Sequence, residues 1–362
     1  MAEISKSAYA PSSVSPPGET LAELLDEKGI SQAELAMRMG RPRKTISEIV
    51  NGKAAITNDT ALQLELVTGV SANFWNAREG AYRAFLAAEE EKARLASELA
   101  WCRQFPLNEM RKYGWIKNRG SAVDVVHELL SFLGVVSSTQ WNELYSDFAV
   151  AFRMPAKCTP NRLALGAWLR RGLLEAQALR TNTFDHDRFL KCLHGARKLT
   201  TLTPEEFIPA LTERSADAGV ALVFVRELPG SVASGATRWL TADRALIQLS
   251  LRYRTNDHLW FSFFHEAAHL LLHGKKLIFL ESGLAGQSKE EVEANRWAAN
   301  FLIPSDAIQS FREAGDFSDS AIAKFAESLT IAPGIVVGRL QHEKLIPHSR
   351  GNGMKVRYQW TS

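Results

Sequence analysis

The stretch WFSFFHEAAHLLLHG, Trp260 to Gly274, decides how the C-terminal half of this 362-residue chain is read. Phe261, Phe263, Phe264, Ala267, Ala268, Leu270, Leu271 and Leu272 make it apolar all round, the pattern of a buried helix. His265 and His269 are four apart, so on a helix they leave one face and can share one metal ion. Glu266, one step further round, is placed to take a proton from an attacking water rather than to bind the metal. Two imidazoles and a carboxylate inside an apolar helix need partners, and a metal ion is the simplest one. His273 extends the spacing, but His265 and His273 are separated by about 12 Å of helix rise. Metal to nitrogen bonds are about 2 Å, so His273 reads as a helix C-terminal residue or as a group backing a ligand.

A carboxylate for the same ion is sought downstream, in SKEEVEANRWAANFLIP, residues 288–304. Ala294, Trp297, Ala298, Phe301 and Leu302 repeat at helical spacing, Ser288 caps the start and Pro304 ends it. Glu290, Glu291 and Glu293 precede or flank the apolar stripe. Periodicity leaves all three open, with Glu293 at the stripe's edge in line with Trp297 and Asn300.

FHEAAHLLLHG followed by EVEANRWAANFLIPSD resembles the ImmA/IrrE family of metallopeptidases. RWLTADRALIQLS before it and IAPGIVVGRLQ, residues 331–341, extend the resemblance over roughly 216–345. The resemblance implies a zinc-dependent metalloendopeptidase of zincin-like fold, with His265, His269 and Glu293 as metal ligands and Glu266 as catalytic base. Two histidines and one carboxylate leave a fourth position for water, as catalytic zinc sites do. Zinc is the implied ion, with manganese the alternative. The implied substrate is a helix-turn-helix repressor, either a partner or this chain's own head.

Residues 17–76 read as five short helices. Leu21, Leu24 and Leu25 form the apolar face of the first; Ser31 to Glu34 is a capping box opening the second, which stops at Gly40. Pro42 sits near the start of the third, whose inward residues are Ile46, Ile49 and Val50, with Asn51-Gly52 ending it. Two short helices with a glycine between them suit a helix-turn-helix whose second helix enters the major groove. Lys44, Glu48 and Asn51 point away from the core there, with Arg43, Thr45 and Ser47 on the flanks. Between Ser31 and Lys53 five basic residues stand against Glu34 and Glu48, which suits phosphate contact.

Residues 17–75, from PGETLAELLDEK to VSANFW, resemble the HigA-type antitoxins of the XRE helix-turn-helix class, with RKTISEIVNGK as recognition helix and exit. That implies binding of a double-stranded DNA operator through Arg43, Lys44, Thr45, Ser47, Glu48 and Asn51. It also implies a homodimer on two half-sites and, by analogy alone, a toxin partner. Arg41 stands where such proteins carry a capping residue, so the third helix starts less well here. The competing reading is an antitoxin-like repressor whose zinc domain senses or scaffolds without cleaving.

The rest of the chain sets the frame. An apolar fraction of 46% is globular, no apolar run approaches the roughly 20 residues of a membrane span, and the first residues lack a signal-peptide core. Cys102, Cys158 and Cys192 are far apart without C-x-x-C, as buried thiols in a reducing cytoplasm would be. Net charge of +3 is mild, so nucleic-acid affinity must be local. The fold class expected is mainly α with a small β-sheet. A lead over 1–16 and a DNA-binding bundle over 17–78 come first, then a helical connector or middle region over 79–215, in which Trp115, Trp141 and Trp168 suggest packed helices rather than a linker. The metallopeptidase-like domain at 216–345 and a tail at 346–362 complete it. Glu79 to Trp101 reads as a long polar helix, with further helices at 123–133, 162–178 and 187–196 and turns at Pro155, Pro160 and Pro204. Asp185, His186 and Asp187 read as a helix cap rather than a metal site. Strands are expected at 220–228 and 245–251, and an edge of that sheet would take an extended peptide.

Overall fold

The computed structural model describes residues 14–117, 120–151, 161–274, 279–281 and 288–360. The expectations for residues 1–13, for Pro155, Cys158 and Pro160, and for 361–362 lie outside the described residues. The chain is mainly helical with one small sheet, and it divides into two compact units, Met1–Ser97 and Glu98–Ser362.

Among its described residues the first unit holds five helices: α1 (Pro17–Glu27), α2 (Gln32–Arg38), α3 (Arg43–Val50), α4 (Asn58–Thr68) and α5 (Ala72–Ser97). Leu21, Leu25, Leu35, Met39, Ile46, Ile49, Leu64 and Trp75 form one core. Ser31 caps α2 by accepting from the Glu34 amide at 3.1 Å, but Glu34 turns its carboxylate to Arg38 at 2.5 Å, so only half of the expected capping box forms. The boundary expected at residue 78 falls inside α5. Glu79 ties that helix into the bundle: nearly buried, it accepts from the Ile56 amide at 3.1 Å and from Arg83 at 2.7 Å.

In the second unit α6 (Leu99–Cys102), α7 (Leu107–Lys112), α8 (Ala122–Leu133), α9 (Ser138–Ala151), α10 (Arg162–Ala178), α11 (His186–Leu199) and α12 (Pro204–Asp217) precede β1 (Val220–Phe224), β2 (Gly235–Thr241) and β3 (Arg244–Leu249). Then follow α13 (Asn256–Leu272), β4 (Phe279–Glu281), α14 (Lys289–Leu302), α15 (Ser305–Ala314), α16 (Asp319–Ser328) and α17 (Pro333–His342). Strand order is β1-β3-β2-β4, with β1 parallel to β3 and the other two pairings antiparallel.

Both faces of the sheet are covered. Val220 and Leu222 of β1 with Ala245, Ile247 and Leu249 of β3 join the core that includes α13. Ala221, Val223 and Leu246 face the opposite way, onto Leu165, Trp168 and Leu169 of α10. That is why VALVF reads as a continuous apolar run and alternates poorly. In the segment 98–215, α10 covers one face of the sheet and α11 and α12 join the core on the other.

Residues 122–144 together have the length and apolar composition of a membrane span, which the sequence reading did not expect. They form two helices parted at Gly134, whose φ is +72°, and Val126, Leu129, Leu130, Leu133 and Trp141 are buried in the protein itself. The C-terminal segment is not a loose tail. Tyr358 is buried in the α13 core, Val356 exchanges hydrogen bonds with Asn256, and Lys355 pairs with Asp257 at 2.6 Å.

Candidate metal centre and nucleic-acid interface

Helix α13 is held on nearly every side by the core, through Leu259, Trp260, Phe263, Phe264, Ala267 and Leu270. This buries His265 and His269 to 1% exposure each, with their Nε2 atoms 3.0 Å apart. Helix α14 brings a carboxylate to the same point: Glu291 Oε2 lies 3.2 Å from His265 Nε2, and its Oε1 3.3 Å from His269 Nε2. Two donors at tetrahedral angles on a zinc ion, each about 2.0–2.1 Å from it, sit about 3.3 Å apart. The three groups therefore converge as ligands to one ion do, and two imidazoles with a carboxylate suit zinc with a fourth position left over.

The electrostatics suit the same purpose. Burial pushes His269 down to about 4, against the pull of Glu291, so its imidazole is neutral near pH 7 and offers a lone pair. Burial alone would raise Glu291; hydrogen bonds to His265 and His269 outweigh it and bring the carboxyl down to about 2.

Glu293, expected as the third ligand, is not the glutamate that meets the histidine pair. It lies beside His273, Oε2 to Nε2 3.4 Å, and near Lys289 at 3.9 Å. Positions two apart on a helix differ by about 200° in direction, so Glu291 and Glu293 face different ways. The buried stripe of α14 is Ala294, Ala298 and Leu302. Stepping back three from Ala294 or seven from Ala298 lands on Glu291, and that signal was present in the sequence. Glu290 is not among the converging donors either.

The remaining imidazole nitrogens are also engaged. His265 Nδ1 lies 3.0 Å from Asn295 Oδ1, and His269 Nδ1 lies 2.9 Å from His273 Nδ1. Asn295 was not assigned from the sequence, whereas His273 stands at the helix end and behind a candidate ligand, as its spacing suggests. Glu266 is fully buried and is not one of the converging donors. It faces β2, where an ideal Cβ on Gly235 would stand 2.6 Å from its Oε1, and Thr237 Oγ1 donates to its backbone carbonyl at 3.2 Å. Tyr253 stacks on His258 at 4.4 Å in the first turn of α13, about 10 Å of rise before His265.

In the first unit, α2 and α3 are joined through Gly40 at φ +61°, a left-handed turn that glycine adopts without strain. Pro42 is the N-cap of α3 and makes no side-chain cap, while Arg41 instead bonds Gln63 at 2.6 Å. Arg43, Lys44 and Asn51 are exposed; Thr45, Ser47 and Glu48 are partly so. Lys44 lies 3.8 Å from Glu48, and Asn51 donates to the Ser47 carbonyl at 2.7 Å. Asp185, as its sequence suggested, caps α11 by accepting from the Arg188 amide at 2.8 Å.

Comparison with known families agrees with both ends. Residues 222–332 match the IrrE N-terminal-like domain, a peptidase family, and residues 21–75 match the helix-turn-helix family. This chain joins a helix-turn-helix domain to an IrrE N-terminal-like domain. Its helix-turn-helix part is 39% identical over 59 residues to an uncharacterized HTH-type transcriptional regulator, YddM, of Escherichia coli K12. That match covers 16% of this chain and 63% of the relative's length. Two solved structures are similar over 23% of this chain and 92% of theirs. One, from Coxiella burnetii, is an addiction module antidote protein of a HigA family, 32% identical with a TM-score of 0.22. The other, from Nostoc punctiforme, is a candidate antidote protein of a plasmid maintenance system, 28% identical with a TM-score of 0.23.

Proposed function

We propose that this protein is a DNA-binding regulatory metallopeptidase of the cytoplasm that cleaves a helix-turn-helix repressor, in trans or in its own head. The observation that carries this reading is the convergence of His265 Nε2, His269 Nε2 and Glu291, with buried Glu266 on the same helix. These three residues would hold a zinc ion, which supplies Lewis acidity towards a peptide carbonyl and a water of lowered pKa. Glu266 would take a proton on its carboxylate from the attacking water and return it to the leaving amine nitrogen. Asn295 and His273 hold the two imidazoles in orientation from behind. The sheet ends on β4, and an extended peptide added along that edge would be bound through its main chain.

The head brings the enzyme to an operator through the exposed side of α3, with Arg43, Lys44 and Asn51 outermost. Pairing of two heads on two half-sites is supported by Leu62 and Leu66, one turn apart on α4 and both exposed. The deciding experiment compares wild type with Glu266→Gln in cells carrying the neighbouring genes, reading intact proteins and fragments by mass spectrometry. A repressor fragment or self-cleavage product seen only with wild type supports the peptidase. Identical patterns, with zinc bound in both, favour an antitoxin-like repressor whose metal site only senses.

A further inference from the structure

We propose that His273 and Glu293 form an outer chain that fixes the proton on His269 and so sets how tightly this centre holds its metal. The inference rests on the metal-centre reading above. Its basis is a continuous line of atoms: His269 Nδ1 to His273 Nδ1 at 2.9 Å, then His273 Nε2 to Glu293 Oε2 at 3.4 Å. The line joins two elements, because His273 is the C-cap of α13 and Glu293 lies on α14.

The polarity of this line follows from elementary chemistry. If His269 is to give its Nε2 lone pair to a metal, its one ring proton must be on Nδ1. The Nδ1–H then donates, so His273 Nδ1 accepts and carries no proton. The His273 proton must therefore be on Nε2, where it points at the Glu293 carboxylate, a pure acceptor. The opposite arrangement places a proton on His269 Nε2 and closes the centre to metal. It would also leave His273 Nε2 without a proton, facing a second acceptor. In the metal-free centre Glu291 Oε1, 3.3 Å from His269 Nε2, accepts a proton in the opposite arrangement, so the Glu293 carboxylate competes with it and shifts the balance towards the arrangement that a metal needs.

His273 is kept from ligating by the same geometry. It extends the four-residue spacing of His265 and His269, but the His269 ring stands between it and the converging donors. His265 is held differently, by the neutral amide oxygen of Asn295. The two imidazoles are therefore backed unequally, one by a dipole and one by a charge relayed through a second ring. Outer partners of this kind typically change metal affinity by about 10–100-fold when removed.

The test uses the full chain with zinc as the probe. Zinc affinity is measured by chelator competition, and the ring tautomer of His269 by long-range ¹H–¹⁵N spectra of the metal-free protein. Glu293→Gln is expected to keep one zinc per chain, bind it about 10-fold more weakly, and mix the two His269 tautomers. His273→Ala should weaken zinc similarly, and Glu291→Gln should abolish stoichiometric binding. Unchanged affinity and tautomer in Glu293→Gln would overturn the relay. Loss of zinc stoichiometry in that variant would also overturn it, by making Glu293 a ligand. Retention of tight zinc by Glu291→Gln would instead sink the metal-centre reading beneath it. Glu293 is partly exposed, so its loss leaves folding intact, and a thermal melt verifies this.

Discussion

Gly235 of β2 stands against the carboxylate of Glu266: an ideal Cβ there would lie 2.6 Å from Oε1, 2.7 Å from Cγ and 3.0 Å from Cδ. A glycine is therefore needed for the Glu266 side chain to occupy its place. Gly235→Ala is expected to displace Glu266 while leaving the three converging donors on α13 and α14 in position. A displacement of about 1 Å costs on the order of 10²-fold in rate. Overpacking should cost about 1–3 kcal/mol of stability. Cleavage measured alongside zinc content checks this: loss of cleavage with zinc retained is expected, and equal cleavage would show that Gly235 does not set the base.

Zinc should stabilise the fold, since its donors come from two helices joined by a long connection. At a free zinc concentration of 100 times Kd the stabilisation is about 2.7 kcal/mol. Chelation should lower Tm in wild type and leave Tm unchanged in His265→Ala. Equal shifts in both proteins would place the bound metal elsewhere.

Much of this centre could be read from the sequence, and the part that could not has a physical reason. HEAAH fixes the relative places of His265, Glu266 and His269 because one helix determines their mutual geometry. The carboxylate comes from a second helix, and choosing between Glu291 and Glu293 requires knowing which face of α14 is buried. The apolar stripe written with Trp297 and Phe301 is wider than the buried one, so periodicity leaves the glutamates open, and Glu293 was the choice that the family resemblance implied. Gly235 was illegible for a related reason, since its importance depends on a strand crossing a helix 31 positions later. Strand β2 is not among the expected strands because GATRWLT opens with small residues and becomes more exposed toward its end.

Acid should destabilise the metal-free protein. His269 titrates near 6.5 when unfolded and near 4 when folded, so between these values the unfolded chain binds more protons. Stability is therefore complete above about pH 6.5 and falls as pH drops towards 4. Glu291, lowered from 4.5 to about 2, adds a second loss in the same direction below pH 4.5. Urea midpoints at pH 7 and pH 5 should differ more in wild type than in His269→Gln. A wild-type midpoint that rises on acidification would contradict the sign.

On α3, Lys44 is exposed and only loosely paired with Glu48 at 3.8 Å, so it is available to a phosphate. Lys44→Ala should weaken operator binding and reduce the slope of log K against log salt by about one. Fluorescence anisotropy across a salt series measures both. An unchanged slope would remove Lys44 from the interface.

The last prediction concerns the C-terminal segment, which seals the start of the helix carrying the histidines. Lys355 and Asp257 pair at 2.6 Å with side chains only 11% and 7% exposed, and Lys355 also donates to Gln341 at 2.8 Å. Gly338 of α17 leaves room for Asp257, since an ideal Cβ there would lie 2.7 Å from its Oδ2. Lys355→Met removes the cation but keeps the bulk, leaving a buried carboxylate without its charge partner. Breaking one side of such a pair costs about 3–5 kcal/mol. Replacing both partners, Lys355→Met with Asp257→Leu, should recover much of that loss, because the cost is the uncompensated charge rather than the missing contact. Urea denaturation of the two single variants and the double variant measures the coupling. Strictly additive losses would show that the pair does not act as a unit and that the segment is held by Tyr358 and its backbone bonds to Asn256 and Arg254 instead.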